Sequence, residues 1–381
     1  KHVAARARLK DVQNNLQKDL EFNQALAGMG KDNTLTYIEG FVPVEAVEII
    51  KEQAENEQWG FIARDPGPQD TVPTLLKNPR WITWIMPVLN FLGIMPGYAE
   101  LDVSFLFLIF FSLFFGILIG DAGYGLVYLA LTFLLQKKYR ARAKGKPIFP
   151  LLYTLGSCAV VWGILTGNFF GQVWLVAAGV KPLLPALNDR TVMQTFCFFV
   201  GALHLSIAHA WRGLLKFPSP TALADLGWIA VLWVSYFLAG SLILGKPFPD
   251  FGLTLAVTGI MLILFFNEPR KNILKRLGAG FTSVTFGLSF MSAFTDVVSY
   301  VRLFAVGLAG VAIADTTNFM AAGLGTGPAA VFAGILIGLV GHALNIVLGP
   351  IAILVHAVRL NVLEFGLKHT GITWSGAVYK P

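Results

Sequence analysis

The sequence predicts a mostly α-helical polytopic membrane protein with about eight transmembrane helices, the last two long and tilted, preceded by a small cytoplasmic α/β lobe. Three observations carry this expectation. Of 381 residues, 55% are hydrophobic and 13% charged, and the mean hydropathy is +0.65, more apolar than a water-facing surface can carry. Residues 1–100 hold 10 basic and 13 acidic side chains, whereas 101–381 hold 19 and nine, so the net charge of +7 is unevenly spread and the two parts meet different surroundings. Beyond Leu101 the apolar runs reach membrane-spanning length.

The same composition excludes several functions. Cys158 and Cys197 both sit in apolar stretches without metal-ligand spacing, which argues against a disulfide framework or a zinc site, and no metal or cofactor is expected. Basic residues alternate with apolar spans instead of clustering on one folded face, so nucleic-acid binding is not expected. No GxxxxGK[ST] phosphate loop occurs, so nucleotide chemistry would fall to partners.

Along the chain, Leu9, Val12, Leu16 and Leu20 recur at three- and four-residue spacing within 1–27, the seam of a helix that packs against one partner. The chain opens at Lys1 in a charged helical pattern and is expected to lack an N-terminal portion. LTYIEGFVP (Leu35–Pro43) alternates as a strand does, Glu45–Glu57 reads as an acidic amphipathic helix, and Trp59–Ala63 reads as a second strand. These elements make a lobe over 1–80. Residues 81–102, with Trp81 and Trp84, form an interfacial linker, 103–368 an eight-helix transmembrane domain and 369–381 a cytoplasmic tail. The run Val103–Gln136 would be about 51 Å long as helix, too long for one crossing, so it folds as a hairpin at GDAGYG (Gly120–Gly125) with Asp121 as a backbone cap. Further spans are expected at 150–177, 191–214, 224–245, 251–267, 282–322 and 329–367. His204 and His209 on the fourth span read as structural.

Loop charges orient these spans. Lys137, Lys138, Arg140, Arg142, Lys144, Lys146, Arg212, Lys216, Arg270, Lys271, Lys275 and Arg276 fall in alternate loops, against Lys181, Arg190 and Lys246 in the intervening ones. That bias puts both termini in the cytoplasm. Two basic residues remain inside spans, Arg302 and Arg359, each costing at least about 2.5–3.5 kcal/mol at mid-span. At about 100° per residue, Ser292, Thr295, Ser299, Ala305, Ala309 and Ala312 fall on the Arg302 side, a small-residue face on which another helix can approach closely. Asn345 and His356 share the Arg359 direction. With the penultimate span running outward, Asp315 and His342 lie toward the outer side and Asp296, His356 and Glu364 toward the cytoplasm. This is the pattern of two offset ion entrances.

Five runs carry a family resemblance: FTDVVSYVRLFAVGLAGVAIA (Phe294–Ala314), GPIAILVHAVRLNVLEF (Gly349–Phe365), FFGILIGDAGYGLVY (Phe114–Tyr128), GNFFG (Gly167–Gly171) and IEGFVP (Ile38–Pro43). In this order they resemble the a-subunit, or subunit I, of the V/A-type rotary ATPases, from about Asp32 to Glu364. The resemblance implies a stator beside a ring of proteolipid helices that bear ion-binding carboxylates. Arg302 matches the arginine that faces those carboxylates, and Arg359 the second arginine of the last helix. Residues 1–80 then resemble the membrane-proximal part of a cytoplasmic arm that docks peripheral stalk subunits, with a central-stalk subunit at the cytoplasmic face. Lipid surrounds the spans, and H⁺ or Na⁺ is the translocated ion. Gly349 and Gly310 stand where the eukaryotic branch has an acidic residue and a histidine, which points to a prokaryotic plasma membrane. It also leaves Asp315, His342 and Asn345 as substitutes lining the outer half-channel. A secondary ion-coupled transporter is the competing reading, predicting inverted repeats that the sequence does not show. A purely structural anchor is a third, in which Arg302 would tolerate Gln or Ala.

Overall fold

The computed structural model describes residues 2–32, 34–67, 70–139, 145–171, 179, 181–267 and 284–379. Arg140, Arg142, Lys144, Arg270, Lys271, Lys275 and Arg276, on which the loop-charge reading leans, lie outside the described residues, as does the end of the expected 150–177 span. The chain divides into two compact units, Lys1–Pro73 with Ala377–Pro381, and Thr74–Gly376.

The smaller unit holds α1 (His2–Ala27), β1 (Gly30–Asp32), β2 (Leu35–Tyr37) and α2 (Val44–Asn56). The strands pair antiparallel with Gly30 opposite Tyr37. Leu9, Val12, Leu16 and Leu20 of α1 are all more than half exposed. The strand expected over Trp59–Ala63 does not form. Its backbone has no regular pairing among the described residues, and an alternating pattern without a neighbour to hydrogen-bond does not make a strand. Glu39 and Arg64 form an exposed ion pair at 2.8 Å.

The main elements of the larger unit among the described residues are helical. A 3₁₀ turn (Ile82–Ile85) leads into α3 (Met86–Leu92), followed by α4 (Ser104–Ile119), α5 (Ala122–Lys138), α6 (Ile148–Thr166), α7 (Arg190–Lys216), α8 (Ala222–Leu244), α9 (Gly252–Phe266), α10 (Val284–Val298), α11 (Val301–Ala322) and α12 (Pro328–Arg359). A π-helical segment, π1 (Leu360–Thr370), continues α12. Five stretches are long and apolar enough to cross a membrane: α6, α7, α8, Gly287–Ala322 and Pro328–Thr370. The other three expected spans, α4, α5 and α9, have 16, 17 and 15 residues, so each falls short of the roughly 20 that cross a bilayer untilted. The protein is therefore a mostly helical, polytopic membrane protein with five helices of full spanning length among the described residues.

Helix α4 is the centre of this unit. It is apolar on every side, and 13 of its 16 residues are buried, as all-round hydrophobicity requires. Phe107, Phe111 and Phe114 join a core with Leu151 and Leu155 of α6, Phe198 and Leu205 of α7, Leu303 of α11 and Phe365 of π1. Helix α12 lies at the edge, with Val331, Phe332, Ile335, Leu339, Val347 and Ile351 about half or more exposed along its length. The α4–α5 hairpin turns at Gly120, whose φ of 64° suits glycine, and Asp121 caps α5 by accepting the Tyr124 N–H at 3.1 Å. Residues 371–376 fold back onto this unit instead of trailing off. Ser375 bridges to Met95, and the Trp374 ring N–H donates to the Val362 carbonyl at 3.2 Å.

Close approach of α5 and α6 depends on Gly163, where an added Cβ would strike the backbone of Ala122. Gly163→Val should destabilise the purified protein by about 1–3 kcal/mol, seen as a lowered thermal midpoint in detergent; an unchanged midpoint would refute this packing. At Glu100, partial burial pushes the carboxyl up, but N–H groups of Gly97 and Thr373 and the Thr373 hydroxyl donate to it and hold it below the usual carboxylate range. A lowered carboxyl stabilises the fold above its unfolded-chain value and loses that contribution as pH falls through the folded value. Glu100→Gln should therefore blunt the acid loss of stability below about pH 4, measured as thermal midpoint against pH.

Candidate functional site

Charged and polar side chains in the larger unit fall into three groups along the long helices. Arg302 opens the middle one. The expected 282–322 helix is broken at Ser299–Tyr300, with tightened bonds from the Arg302 N–H to the Ser299 carbonyl and from the Leu303 N–H to the Tyr300 carbonyl. Fully buried Tyr300 anchors the break through its hydroxyl, 2.8 Å from His204 Nδ1. The His204 ring stacks between Phe110 and Phe365, at centroid distances of 3.9 and 4.3 Å. Arg302 leaves this corner with its Nη2 3.5 Å from Glu364 Oε1, and Arg359 Nε donates to the same oxygen at 3.2 Å.

The π winding makes this arrangement possible. Residues five apart in an α-helix stand about 140° apart around the axis, whereas the wider i→i+5 winding brings them nearer to one another in direction. Arg359, Glu364 and His369, spaced by five, are thereby turned toward one side. Glu364 is 1% exposed, and its Oε2, like Arg302 Nη1, is buried without a hydrogen-bond partner among the described residues. Two guanidinium groups share one carboxylate, so the trio retains a net charge of +1. Half-buried His356 lies one helical turn before Arg359. Beyond Arg302, Ala305, Ala309 and Ala312 are exposed in a row, and Thr295 is exposed on α10. Ser292 is half-buried, and Ser299 is buried with its hydroxyl donating to the Asp296 carbonyl.

The second group surrounds Asp296, 3% exposed on α10. Lys368 donates to it at 2.5 Å, Ser292 Oγ lies 3.5 Å away, and His369 Nε2 is 3.3 Å from Oδ2. The other His369 nitrogen, Nδ1, is 2.9 Å from His209 Nε2, and His209 Nδ1 is 3.2 Å from Asp225 Oδ1. Asp225, 1% exposed, also accepts from Arg212 Nε at 2.7 Å and from Lys216 at 2.6 Å. Four helical elements thus converge on one buried polar network.

The third group lies far along the same helices. Tyr124 and His342 Nδ1 bond at 2.8 Å, His342 Nε2 is 3.1 Å from Asn318 Oδ1, and Asn318 donates to the Phe170 carbonyl. Asp121 accepts the Gly171 N–H, and Gly171 lies directly against Asp315. Asn345 donates to the Gly310 carbonyl at 2.8 Å. The chain thus brings Asp315, His342 and Asn345 into one neighbourhood. Asp296 and Asp315 are 19 residues apart in the chain, on either side of the Ser299–Tyr300 break. Arg302 lies between them in the chain.

Sequence reasoning missed Lys368, His369, Asp225, Arg212, Tyr124 and Asn318. Asp225 carried a signal, as a single carboxylate in the first turn of an apolar span. Lys368, four residues after Glu364, shares its face even in a regular helix, whereas His369, five after it, carried no signal because a regular helix would turn it away. No group of three or more His, Cys, Asp or Glu side chains suited to a metal occurs among the described residues. Asp225→Ala would leave two partly buried cations facing apolar helices, and should cost about 3 kcal/mol of stability in detergent-solubilised protein. A loss under 1 kcal/mol would mean that water already solvates them.

Among known proteins, no family model matches the chain. It is 35% identical, over 98% of its length, both to the V-type ATP synthase subunit I of Borreliella burgdorferi and to the V-type ATP synthase subunit I 1 of Treponema pallidum. Over 90% of its length it is 27% identical to the A-type ATP synthase subunit I of Methanocaldococcus jannaschii. The chain spans 64% of the length of each of the first two and 54% of the third.

Proposed function

This chain is a homologue of subunit I of the V- and A-type ATP synthases over nearly all of its length, and on that premise we propose that it is the membrane stator of a rotary ATPase, coupling H⁺ or Na⁺ flow to rotation of a proteolipid ring through Arg302. The observation that carries the proposal is the charge count around Arg302, two guanidinium groups on one buried carboxylate beside an exposed run of small residues. The surplus positive charge attracts a further carboxylate, and Ala305, Ala309 and Ala312 let the helix that bears it come close.

Arg302 acts by staying charged. A guanidinium keeps its proton at any accessible pH, so it favours the ionised form of a ring carboxylate and drives off the bound ion. It also bars direct passage between the two polar groups that flank it. The Asp296 group and the Asp315–His342–Asn345 group serve as the two half-channels, one open to each side, with His356 and Glu364 on the Asp296 side. Each ring carboxylate then loads from one side and unloads to the other only by passing Arg302. In this reading all eight helices cross the membrane, α4, α5 and α9 supplemented by their flanks, and both termini face the cytoplasm of a prokaryotic cell. Residues 1–80 dock peripheral stalk subunits, and the cytoplasmic face meets a central-stalk subunit. The exposed apolar length of α12 is available to the ring and to lipid.

In the whole complex reconstituted into liposomes, Arg302→Gln should abolish coupled ion transport while leaving assembly intact, and retained transport would refute the mechanism. Arg359→Gln should impair transport less, because Arg359 is the more exposed of the two. The reverse ordering would transfer the central role to Arg359.

A further inference from the structure

The carboxylate–imidazole–imidazole–carboxylate row Asp225, His209, His369, Asp296 runs through the interior with every neighbouring pair within hydrogen-bonding distance. We infer that it is a proton-only conduit feeding the Asp296 side of Arg302, and hence that the coupled ion is H⁺. The inference rests on the stator reading and narrows its ion.

Proton counting makes the case. The row has three gaps, at 3.2, 2.9 and 3.3 Å, and two neutral imidazoles carry only two N–H hydrogens between them. One gap always lacks a hydrogen. When that gap is at Asp225, His209 Nδ1 accepts instead from Arg212 Nη2, 3.2 Å away. His209 Nε2 then donates to His369 Nδ1, and His369 Nε2 donates to Asp296. A proton arriving at His209 Nδ1 fills the empty gap. His209 passes its Nε2 proton to His369, and His369 releases its own Nε2 proton to Asp296, so one proton enters and one leaves. Both rings end with their hydrogen on Nδ1 and reorient before the next transfer.

The surroundings suit transfer along this row. The titratable and charged groups facing the two rings are His204, Arg212 and Lys216 from α7, Asp225 from α8, Asp296 from α10 and Lys368 from π1. Trp228 of α8 covers the flat face of His209. Arg212 and Lys216 are part-exposed beside a buried Asp225, which makes that end the entrance. Asp296 lies six residues before Arg302, just across the Ser299–Tyr300 break. A sodium ion cannot follow this route, because the imidazole nitrogens are in direct hydrogen-bond contact and leave no oxygen-lined space between them. Histidine and carboxylate rows inside membranes pass protons by the same hydrogen-bond exchange.

The whole ATPase complex, reconstituted into liposomes in sodium-free buffer, is assayed for ATP-driven acidification with a pH-sensitive dye. His209→Gln and His369→Gln should each slow acidification at least tenfold in assembled complexes, with Arg302→Gln silent. Wild-type acidification should need no sodium and should slow in deuterated water. Full-rate acidification by both histidine variants beside a silent Arg302→Gln overturns the conduit and leaves the stator reading standing. Full-rate acidification by Arg302→Gln overturns the stator reading itself. If the histidine variants fail to assemble, the wild-type complex decides: sodium-dependent transport overturns the inference, and sodium-independent acidification slowed by deuterium supports it.

Discussion

Glu364 is the carboxylate on which the larger unit turns. An unpaired charge is too costly inside an apolar bundle, and each of the two intraspan arginines needs a counter-charge nearby. Glu364 supplies half of what both require. Because it is buried and they are part-exposed, the guanidinium groups are drawn to the bundle surface at a fixed depth and held there. A second carboxylate within the trio would complete the neutralisation and remove the attraction for an incoming one. In the proposed stator mechanism this deficit of one negative charge is what an incoming carboxylate answers, and the pairing keeps it stable.

Two departures from regular helix geometry create this arrangement. The break at Ser299–Tyr300 redirects the chain just before Arg302, and its corner is fixed by Tyr300 on His204 between two aromatic rings. Phe110 belongs to α4, so the central apolar helix helps to position the charged site. The π segment widens the last helix where Arg359, Glu364 and His369 must share a side. The same winding that pairs Glu364 with the arginines aims Lys368 and His369 at Asp296. The arginine site and the neighbouring polar network are thus products of one stretch of backbone, and a change in its winding alters both.

Much of the site was legible in the sequence. Arg302 and Arg359 stand out because charge is rare in apolar runs, and the small residues beside Arg302 follow from helical spacing alone. Asp315, His342 and Asn345 were identified as polar exceptions of the same kind, and the fold gathers them. Of the row Asp225, His209, His369 and Asp296, only Asp296 was. His209 is an unremarkable intraspan histidine until His369 lies against it from 160 residues away. The strand expected at Trp59–Ala63 shows the opposite error, since alternation implies a strand only where a partner backbone exists.

Composition and the order of apolar runs by themselves determined that this is a helical, polytopic membrane protein with a separate polar N-terminal part. Those properties depend on transfer of side chains from water to lipid, which is nearly additive along the chain. They also singled out the two arginines, because the cost of an intraspan charge is local. Which carboxylate answers those arginines, where the long helices break or widen, and which histidines come into hydrogen-bond contact were decided only by tertiary structure. Pairing and helix winding depend on distances between segments far apart in sequence, and no local pattern of residues encodes those distances.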